Sequence, residues 1–249
     1  IDAFDQAGRL DNTLIIYING DNGTSAEGGP LGTPNEVAFF NGLNKIPAEV
    51  QMKWYDVWGT EQTYNHMSAG WSWAFDTPFS WFKQNASALG GINQNMVVSW
   101  PARIKDKGAL REQFVHVIDV VPTILEAAGL RSPEVVDGIK QKPIEGTSFL
   151  YTFDKANASV PTKHKIQYFE MMGQWALYDD GWFLSTKVNR APWEAFGPAN
   201  PDPLNNQVLE LYNLNEDFSQ TNDLAAKHPE KVKEMKDKFR IQVGQRPSA

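Results

Sequence analysis

A helix end followed by an apolar strand is the first pattern along the chain. Residues 1–8 resemble the last turns of an amphipathic helix, with Gly8 as its stop. Residues 14–18 are apolar throughout and rich in β-branched side chains, which is typical of a strand buried on both faces of a parallel sheet. Because such a strand needs neighbours on both sides, we expect the chain to be the C-terminal part of a larger protein.

Irregular segments, a second strand and a packing helix are predicted next. Residues 25–64 are rich in glycine, proline and asparagine and show little periodicity, and irregular segments of that length are usually functional. Residues 95–100 predict a strand. Residues 115–130 carry apolar side chains at helical spacing up to Gly129, which predicts a helix. His116, near its start, is interpreted as a structural histidine rather than a ligand.

Beyond Phe149 the pattern changes to short apolar runs that are typical of antiparallel strands. Asp180 and Gly181 give a hairpin signal between two of these runs, and residues 228–240 predict a charged helix. We therefore predict an α/β part in residues 1–150 and a small α+β part in residues 151–249. The strands of the predicted four-stranded antiparallel sheet are residues 166–171, 174–178, 182–186 and 207–212.

Composition narrows the classes of partner. The 249 residues carry a net charge of −7, which argues against sequence-independent nucleic-acid binding because that binding needs a basic surface. No apolar run approaches the roughly 20 residues of a membrane helix, so no membrane partner is expected. Cysteine is absent, which excludes disulfides, thiolate metal sites and a cysteine nucleophile from these residues but does not indicate a compartment.

The first candidate chemistry lies at the end of the first apolar strand. Asp21 and Asn22 follow that strand, and ligands collect at the carboxyl ends of parallel strands. A carboxylate and an amide oxygen are hard ligands of the kind that Ca²⁺ or Mg²⁺ prefers, and Gly20 and Gly23 let the backbone approach closely. The same residues are also typical of a tight turn, so the residues alone leave both interpretations open.

Lys83 is the second candidate. It follows residues 71–82, a segment with several bulky aromatic side chains. One interpretation is a lysine that lays its aliphatic stem on an aromatic surface and keeps its charge in water. The other is a cation directed at a bound anion.

Five groups of motifs occur along the chain in one order: residues 20–23 (GDNG) with 25–29 (SAEGG), 73–79 (WAFDTPF) with 83–84 (KQ), 90–91 (GG) with 99–101 (SWP), 116–119 (HVID) with 122–129 (PTILEAAG), and 210–214 (ELYNL) with 222–225 (NDLA). In this order they resemble the sulfatase family, and specifically the C-terminal half of the large bacterial arylsulfatases of the alkaline-phosphatase-like superfamily. The resemblance covers essentially the whole chain and implies a mixed sheet flanked by helices, followed by a small α+β subdomain.

The resemblance also implies a chemistry. It implies a calcium-dependent hydrolase of sulfate esters, with Mg²⁺ the less favoured metal. Asp21 and Asn22 would complete a calcium site that acidic residues begin in the missing N-terminal half of the same protein, which is then a required partner. Lys83 would contact the sulfate group and the ester oxygen, where a fixed cation stabilises the negative charge that builds up during S–O cleavage.

The family nucleophile is a formylglycine made from the first residue of a Cys/Ser-x-Pro/Ala-Ser/Ala-Arg motif. Residues 99–103 (SWPAR) match this motif, but the family places the nucleophile before the metal ligands and at the start of a helix. Ser99 follows Asp21 and Asn22 and ends an apolar strand, so we interpret it as structural. The formylglycine is therefore expected only in the missing N-terminal half, and these residues alone are expected to be inactive.

The chain departs from the family pattern around its double glycine. This branch commonly has a histidine before the glycines and an arginine after them, whereas Ala88 and Asn93 occupy those positions here. If that histidine protonates the leaving group, its role is lost, and weak, altered or abolished activity is a hypothesis. His66 precedes Lys83 and is a candidate for the same pocket, although an ordinary loop histidine is the alternative.

Two other functions stay open at this point. A phosphodiester or phosphonate monoester hydrolase of the same superfamily would use similar metal and cationic groups. A non-catalytic fragment, or a sulfatase-like protein split into two chains, would need its missing half to cover the bare sheet edge.

Overall fold

The computed structural model describes residues 1–20, 23–43, 45–194 and 200–244. The α-helices of these residues are α1 (Asp2–Gln6), α2 (Glu36–Phe40), α3 (Ala48–Gln51), α4 (Ala69–Asp76), α5 (Leu89–Ile92), α6 (Val120–Ala127) and α7 (Pro229–Gly244). The strands are β1 (Ile15–Asn19), β2 (Asn95–Ser99), β3 (Val135–Val136), β4 (Ile139–Lys140), β5 (Ile166–Met171), β6 (Gln174–Asp179), β7 (Trp182–Thr186) and β8 (Leu209–Asn213).

The chain divides into two compact units that interleave in sequence. Unit 1 comprises residues 1–18 and 96–167, and unit 2 comprises residues 19–95 and 168–249. The predicted boundary near residue 150 stays a prediction. Among the helices that the structure describes, none is both long and apolar enough to cross a bilayer.

Strands β1 and β2 form a two-stranded sheet, at the positions where the apolar pattern predicts strands. The expected burial on both faces is not observed: Ile15 and Ile16 are half-buried, Tyr17 is 59% exposed and Val97 is 60% exposed. Fully burying a large apolar side chain stabilises a folded protein by about 1.5–3 kcal/mol, and an exposed one does not contribute this free energy.

Helix α6 is shorter than the spacing predicts. The structure has a 3-10 turn at Val117–Asp119 and the α-helix only from Val120, so the prediction of a helix from residue 115 is wrong at its N-terminal end. The reason is a capping box at His116, whose backbone is extended. Its backbone N–H donates to the Asp119 carboxylate, and its ring accepts from the backbone N–H of Ile118. This capping agrees with the structural role expected for His116.

Asp119 is the polar centre of unit 1 and is fully buried. Its carboxylate accepts the backbone N–H of His116 at 2.8 Å and that of Thr147 at 2.6 Å, and His164 Nδ1 lies 2.8 Å from Oδ2. These hydrogen bonds oppose the cost of burial, and the pKa of Asp119 is lower than its usual value.

Unit 2 contains a four-stranded antiparallel sheet in the order β5-β6-β7-β8. The hairpin between β6 and β7 turns at Asp180 and Gly181, which both have positive φ as a type I′ turn requires. Helix α7 packs on this sheet, and Phe239 stacks on Trp175 with ring centroids 4.0 Å apart. The predicted four-stranded sheet with a C-terminal helix is therefore confirmed.

Candidate functional site

Lys83 lies in the loop that connects helix α4 to helix α5 in unit 2. Trp81 and Gln84, close to it on either side, both have positive φ, a conformation that side chains other than glycine rarely adopt. The predicted ligands Asp21 and Asn22 lie outside the residues that the structure describes, so their assignment stays a prediction.

Glycines let this loop pack closely against its neighbours. A Cβ atom on Gly90 would lie 2.2 Å from the carbonyl oxygen of Trp81, and one on Gly23 would lie 2.8 Å from the backbone nitrogen of Lys83. The same backbone N–H of Lys83 donates a 3.2 Å hydrogen bond to the carbonyl oxygen of Thr24. The loop is thus bound to the segment that directly follows residues 21 and 22.

Aromatic rings hold the other side of the loop. Phe82 is buried, with its ring 5.8 Å from that of Trp73 and 5.9 Å from that of Trp81. The Trp193 ring lies 6.4 Å from Phe82. These edge and tilted contacts restrict the backbone on which Lys83 is carried.

The Lys83 ammonium is paired with a carboxylate. Its Nζ lies 3.1 Å from Glu27 Oε2, and the Lys83 side chain is 42% exposed whereas that of Glu27 is 14% exposed. Gln84 Nε2 donates to the other oxygen of Glu27. Hydrogen bonds from Gln84 and Lys83 outweigh the effect of burial and hold the pKa of Glu27 below its usual value, so the carboxylate is ionised at neutral pH.

A second layer connects Glu27 to His66. The Ser25 hydroxyl donates to Glu27 Oε2 at 3.0 Å, and His66 Nε2 lies 2.8 Å from Ser25 Oγ. An ionised carboxylate can only accept, so the Ser25 hydroxyl proton lies in the hydrogen bond to Glu27. His66 Nε2 must therefore be the donor in its contact with Ser25 Oγ. This tautomer leaves Nδ1 to accept from the backbone N–H of Gly28 at 3.3 Å.

Helix α4 fixes the segment that carries Ser25. Ser72 and Asp76 are four residues apart and therefore lie on one face of the helix. Ser72 Oγ donates to the carbonyl oxygen of Ser25 at 2.6 Å, and the backbone N–H of Thr24 donates to the Asp76 carboxylate at 3.2 Å. The side chains of one helical turn thus orient residues 24 and 25.

Two of the predicted site residues are brought together. Lys83 and His66 belong to one hydrogen-bonded network that runs through Glu27 and Ser25. Sequence reasoning missed the roles of Glu27 and Ser25, although both stand in the motif of residues 25–29. The signal available in the sequence was a hydroxyl and an acidic side chain placed between the predicted metal ligands and the predicted cation.

The segment that matches the nucleophile motif has a different structure from a helix start. Ser99 ends β2, and residues 101–103 form a turn. The Arg103 guanidinium lies over the Trp100 ring, 5.2 Å from its centroid. A strand end followed by a turn lacks the aligned backbone donors of a helix N-terminus, which supports a structural role for Ser99.

The positions that depart from the family pattern border helix α5. Ala88 is its N-cap and is buried, and Asn93 is its C-cap. An alanine side chain has no proton to give, so position 88 cannot act as a general acid.

Acidic and histidine side chains do not cluster as a metal site in the described part of the chain. Within residues 1–20, 23–43, 45–194 and 200–244, no group of three or more histidine, aspartate, glutamate or cysteine side chains is arranged to hold an ion. Asp21 and Asn22 supply one anionic and one neutral oxygen, a donor set that suits Ca²⁺ but fills only part of its six to eight positions. The donor chemistry fits half of a calcium site.

Comparison with known proteins gives a family and a fold. The Sulfatase family model matches residues 1–130. The arylsulfatase of Klebsiella aerogenes is 24% identical over 168 residues, or 68% of this chain and 32% of that protein. An uncharacterized sulfatase of Schizosaccharomyces pombe is 25% identical and aligns with 94% of this chain and 38% of its own length.

The fold is that of solved sulfatases. A crystal structure of a sulfatase from Pseudoalteromonas sp. superposes with a TM-score of 0.56 at 15% identity and covers 98% of this chain and 39% of that one. The likeness assigns a mixed α/β, alkaline-phosphatase-like fold. The chain spans between about a third and two fifths of the length of these relatives.

Proposed function

This chain belongs to the sulfatase family, and we propose that it is the C-terminal part of a calcium-dependent arylsulfatase that hydrolyses sulfate esters. The observation that carries the proposal is the hydrogen bond between the Lys83 backbone and Thr24. It ties a cation-bearing loop to the segment that directly follows the predicted ligands Asp21 and Asn22 in the sequence.

The charge of Lys83 suits the proposed reaction. Cleavage of a sulfate ester builds negative charge on the departing ester oxygen, and a preorganised cation stabilises that charge. The ammonium has three N–H donors, and Glu27 accepts from one of them at 3.1 Å. Within the described residues no second acceptor is seen, so two donors remain for the sulfate oxygens and the ester oxygen.

Asp21 and Asn22 would hold the calcium ion. When bound, the ion would supply Lewis-acid stabilisation of the sulfate oxygens. The ionised Asp21 carboxylate and the Asn22 amide oxygen are hard donors, whereas Lys83 cannot ligate while it is protonated.

The remaining parts of the site are proposed to come from preceding residues of the same protein. The exposed Tyr17 and Val97 on strands β1 and β2 support this proposal, because helices packed on the two faces of a completed parallel sheet would bury them. That N-terminal part would provide the formylglycine nucleophile and the other calcium ligands. Residues 1–249 alone are then expected to be inactive.

A non-catalytic or weakly active sulfatase-like protein is a second candidate, favoured by one observation. Ala88 is buried and has no ionisable group at the position where this branch of the family commonly has a histidine. His66 is a candidate for acid–base chemistry, and its Nε2 lies 2.8 Å from Ser25 Oγ.

Substrate competition in the complete protein tests the proposed reaction. The protein expressed from its full coding sequence is given 4-nitrophenyl sulfate and bis(4-nitrophenyl) phosphate, each with calcium and with excess chelator. Calcium-dependent turnover of the sulfate with a higher kcat/KM than that of the phosphate diester supports the proposal. Preference for the phosphate diester would assign a phosphodiesterase, and no turnover of either would assign a non-catalytic protein.

A further inference from the structure

The Glu27 carboxylate accepts hydrogen bonds from three side chains. Its two oxygens accept from Lys83 Nζ at 3.1 Å, from Ser25 Oγ at 3.0 Å and from Gln84 Nε2. The three donors come from two separate segments of the chain. The carboxylate therefore joins the Lys83 loop to the segment that carries Ser25.

We propose that Glu27 is a positioning residue that holds the Lys83 ammonium in the orientation in which it binds a sulfate group. The inference rests on the proposed function, in which Lys83 contacts that group. Glu27 itself need not touch the substrate, because its effect passes through the lysine.

The long side chain of Lys83 makes such an anchor necessary. A lysine has a flexible four-carbon stem and three rotatable donors, and the Lys83 side chain is 42% exposed. Without a partner its ammonium would sample many positions in water. A carboxylate 3.1 Å away selects among them and leaves two N–H groups for an anion.

The same geometry limits the repulsion between Glu27 and a bound sulfate. The negative charge of Glu27 is compensated by the lysine and by hydrogen bonds from Ser25 and Gln84. His66 Nε2 donates to Ser25 and fixes the direction of its hydroxyl. Glu27 is thus fixed by hydrogen bonds from Ser25 and Gln84, and its side chain is only 14% exposed.

Competitive acetylation of lysines in the complete protein measures this positioning without relying on turnover. Acetic anhydride labels neutral amines, and mass spectrometry gives the rate for each lysine. In the wild type we expect inorganic sulfate to slow the labelling of Lys83 and to leave that of Lys187 unchanged. Glu27→Gln should raise the labelling of Lys83 at least threefold and remove the protection by sulfate.

A matched control is available in the same unit. Glu210 pairs with Lys187 at 3.5 Å, and Glu210→Gln removes one carboxylate charge just as Glu27→Gln does. This control should leave the labelling of Lys83 unchanged. Thermal unfolding of both variants shows whether they fold. If Glu27→Gln does not fold, the absence of sulfate protection at Lys83 of the wild type would still overturn the proposal.

A double-mutant cycle separates positioning from a general structural effect. We expect Glu27→Gln to lower kcat/KM for an aryl sulfate about tenfold in the wild-type background. In the Lys83→Met background it should have almost no further effect, because residues that act as one unit are non-additive.

The outcomes distinguish this inference from the proposed reaction. Three results would each overturn the positioning role. The first is that sulfate does not protect Lys83 in the wild type, and the second is that Glu27→Gln leaves the labelling of Lys83 unchanged. The third is that Glu27→Gln lowers kcat/KM as much in the Lys83→Met background as in the wild type. Sulfate protection that Glu27→Gln removes, in a protein that hydrolyses no aryl sulfate, would support the positioning role and reject the reaction.

Discussion

The backbone N–H of Lys83 donates a hydrogen bond of 3.2 Å to the carbonyl oxygen of Thr24. The Lys83 side chain is paired with Glu27, three residues further along the same segment. Backbone and side chain of one lysine are thus both attached to residues that follow the predicted calcium ligands. This double attachment gives the cation a fixed position, which is what electrostatic stabilisation of a developing charge requires.

We expect Gly90→Ala to disturb the Lys83 loop. The new Cβ would lie 2.2 Å from the carbonyl oxygen of Trp81 and 2.4 Å from that of Ser80, so the backbone must shift. Overpacking of this kind costs about 1–3 kcal/mol. Chemical denaturation should show that loss, and sulfate protection of Lys83 should weaken.

Gly70→Ala is the matched control for that variant. Gly70 lies in helix α4 with no atom within 4 Å of the added Cβ. Alanine favours a helix over glycine by about 0.5–1 kcal/mol, so this variant should be slightly more stable than the wild type. Equal stability of the Gly70 and Gly90 variants would show that the loop has room for the Cβ.

Asp119→Asn should destabilise unit 1. The fully buried carboxylate accepts from two backbone N–H groups and faces His164 Nδ1 at 2.8 Å. An asparagine amide keeps only one acceptor oxygen, so at least one of these buried donors is left unsatisfied, which costs about 1–3 kcal/mol. The control Asp237→Asn removes only an exposed pair with Arg240 at 3.6 Å and should change stability by less than about 0.5 kcal/mol.

The effect of Asp119 should depend on pH in one direction. Its pKa is lowered in the folded protein, so its contribution is complete above the unfolded pKa of about 3.9 and is lost as the pH falls through the folded pKa. The difference in unfolding free energy between wild type and Asp119→Asn should therefore shrink as the pH falls below about 4. A difference that grows as the pH falls below 4 would contradict this account.

Asp21→Ala should remove the calcium ion from the complete protein. The substitution deletes an anionic oxygen ligand, and calcium affinity depends on the number of such ligands. Elemental analysis after gel filtration should give about one calcium for the wild type and much less for the variant. Asp11→Ala is a control in the same region, since its side chain precedes the apolar strand. Full calcium occupancy in Asp21→Ala would reject the predicted ligand.

Several elements of this fold were predictable because their signals are local. The apolar run predicts β1 to within one residue, and Asp180 with Gly181 predicts the β6–β7 hairpin because that turn requires positive φ at both positions. The start of α6 was predicted wrongly, since apolar spacing does not reveal that His116 caps the helix and stays extended.

The site was predictable only in part. Lys83 is conspicuous among aromatic residues, whereas its partner Glu27 lies 56 positions away and no periodicity connects the two. His66 was named from its place before Lys83, but its connection through Ser25 depends on a contact over 41 positions. Asp21 and Asn22 remain predictions from residue chemistry and family resemblance.

The kinetics of Lys83→Met in the complete protein test the central claim most directly. Methionine keeps the unbranched apolar stem and removes the charge, and Lys163→Met is the control because Lys163 lies over the Tyr151 ring at 4.4 Å in unit 1. We predict that kcat/KM for 4-nitrophenyl sulfate falls by about 10²–10³ in Lys83→Met and stays at the wild-type value in Lys163→Met. A Lys83→Met variant with wild-type kcat/KM would contradict the claim that Lys83 is the cation of a sulfate-ester site.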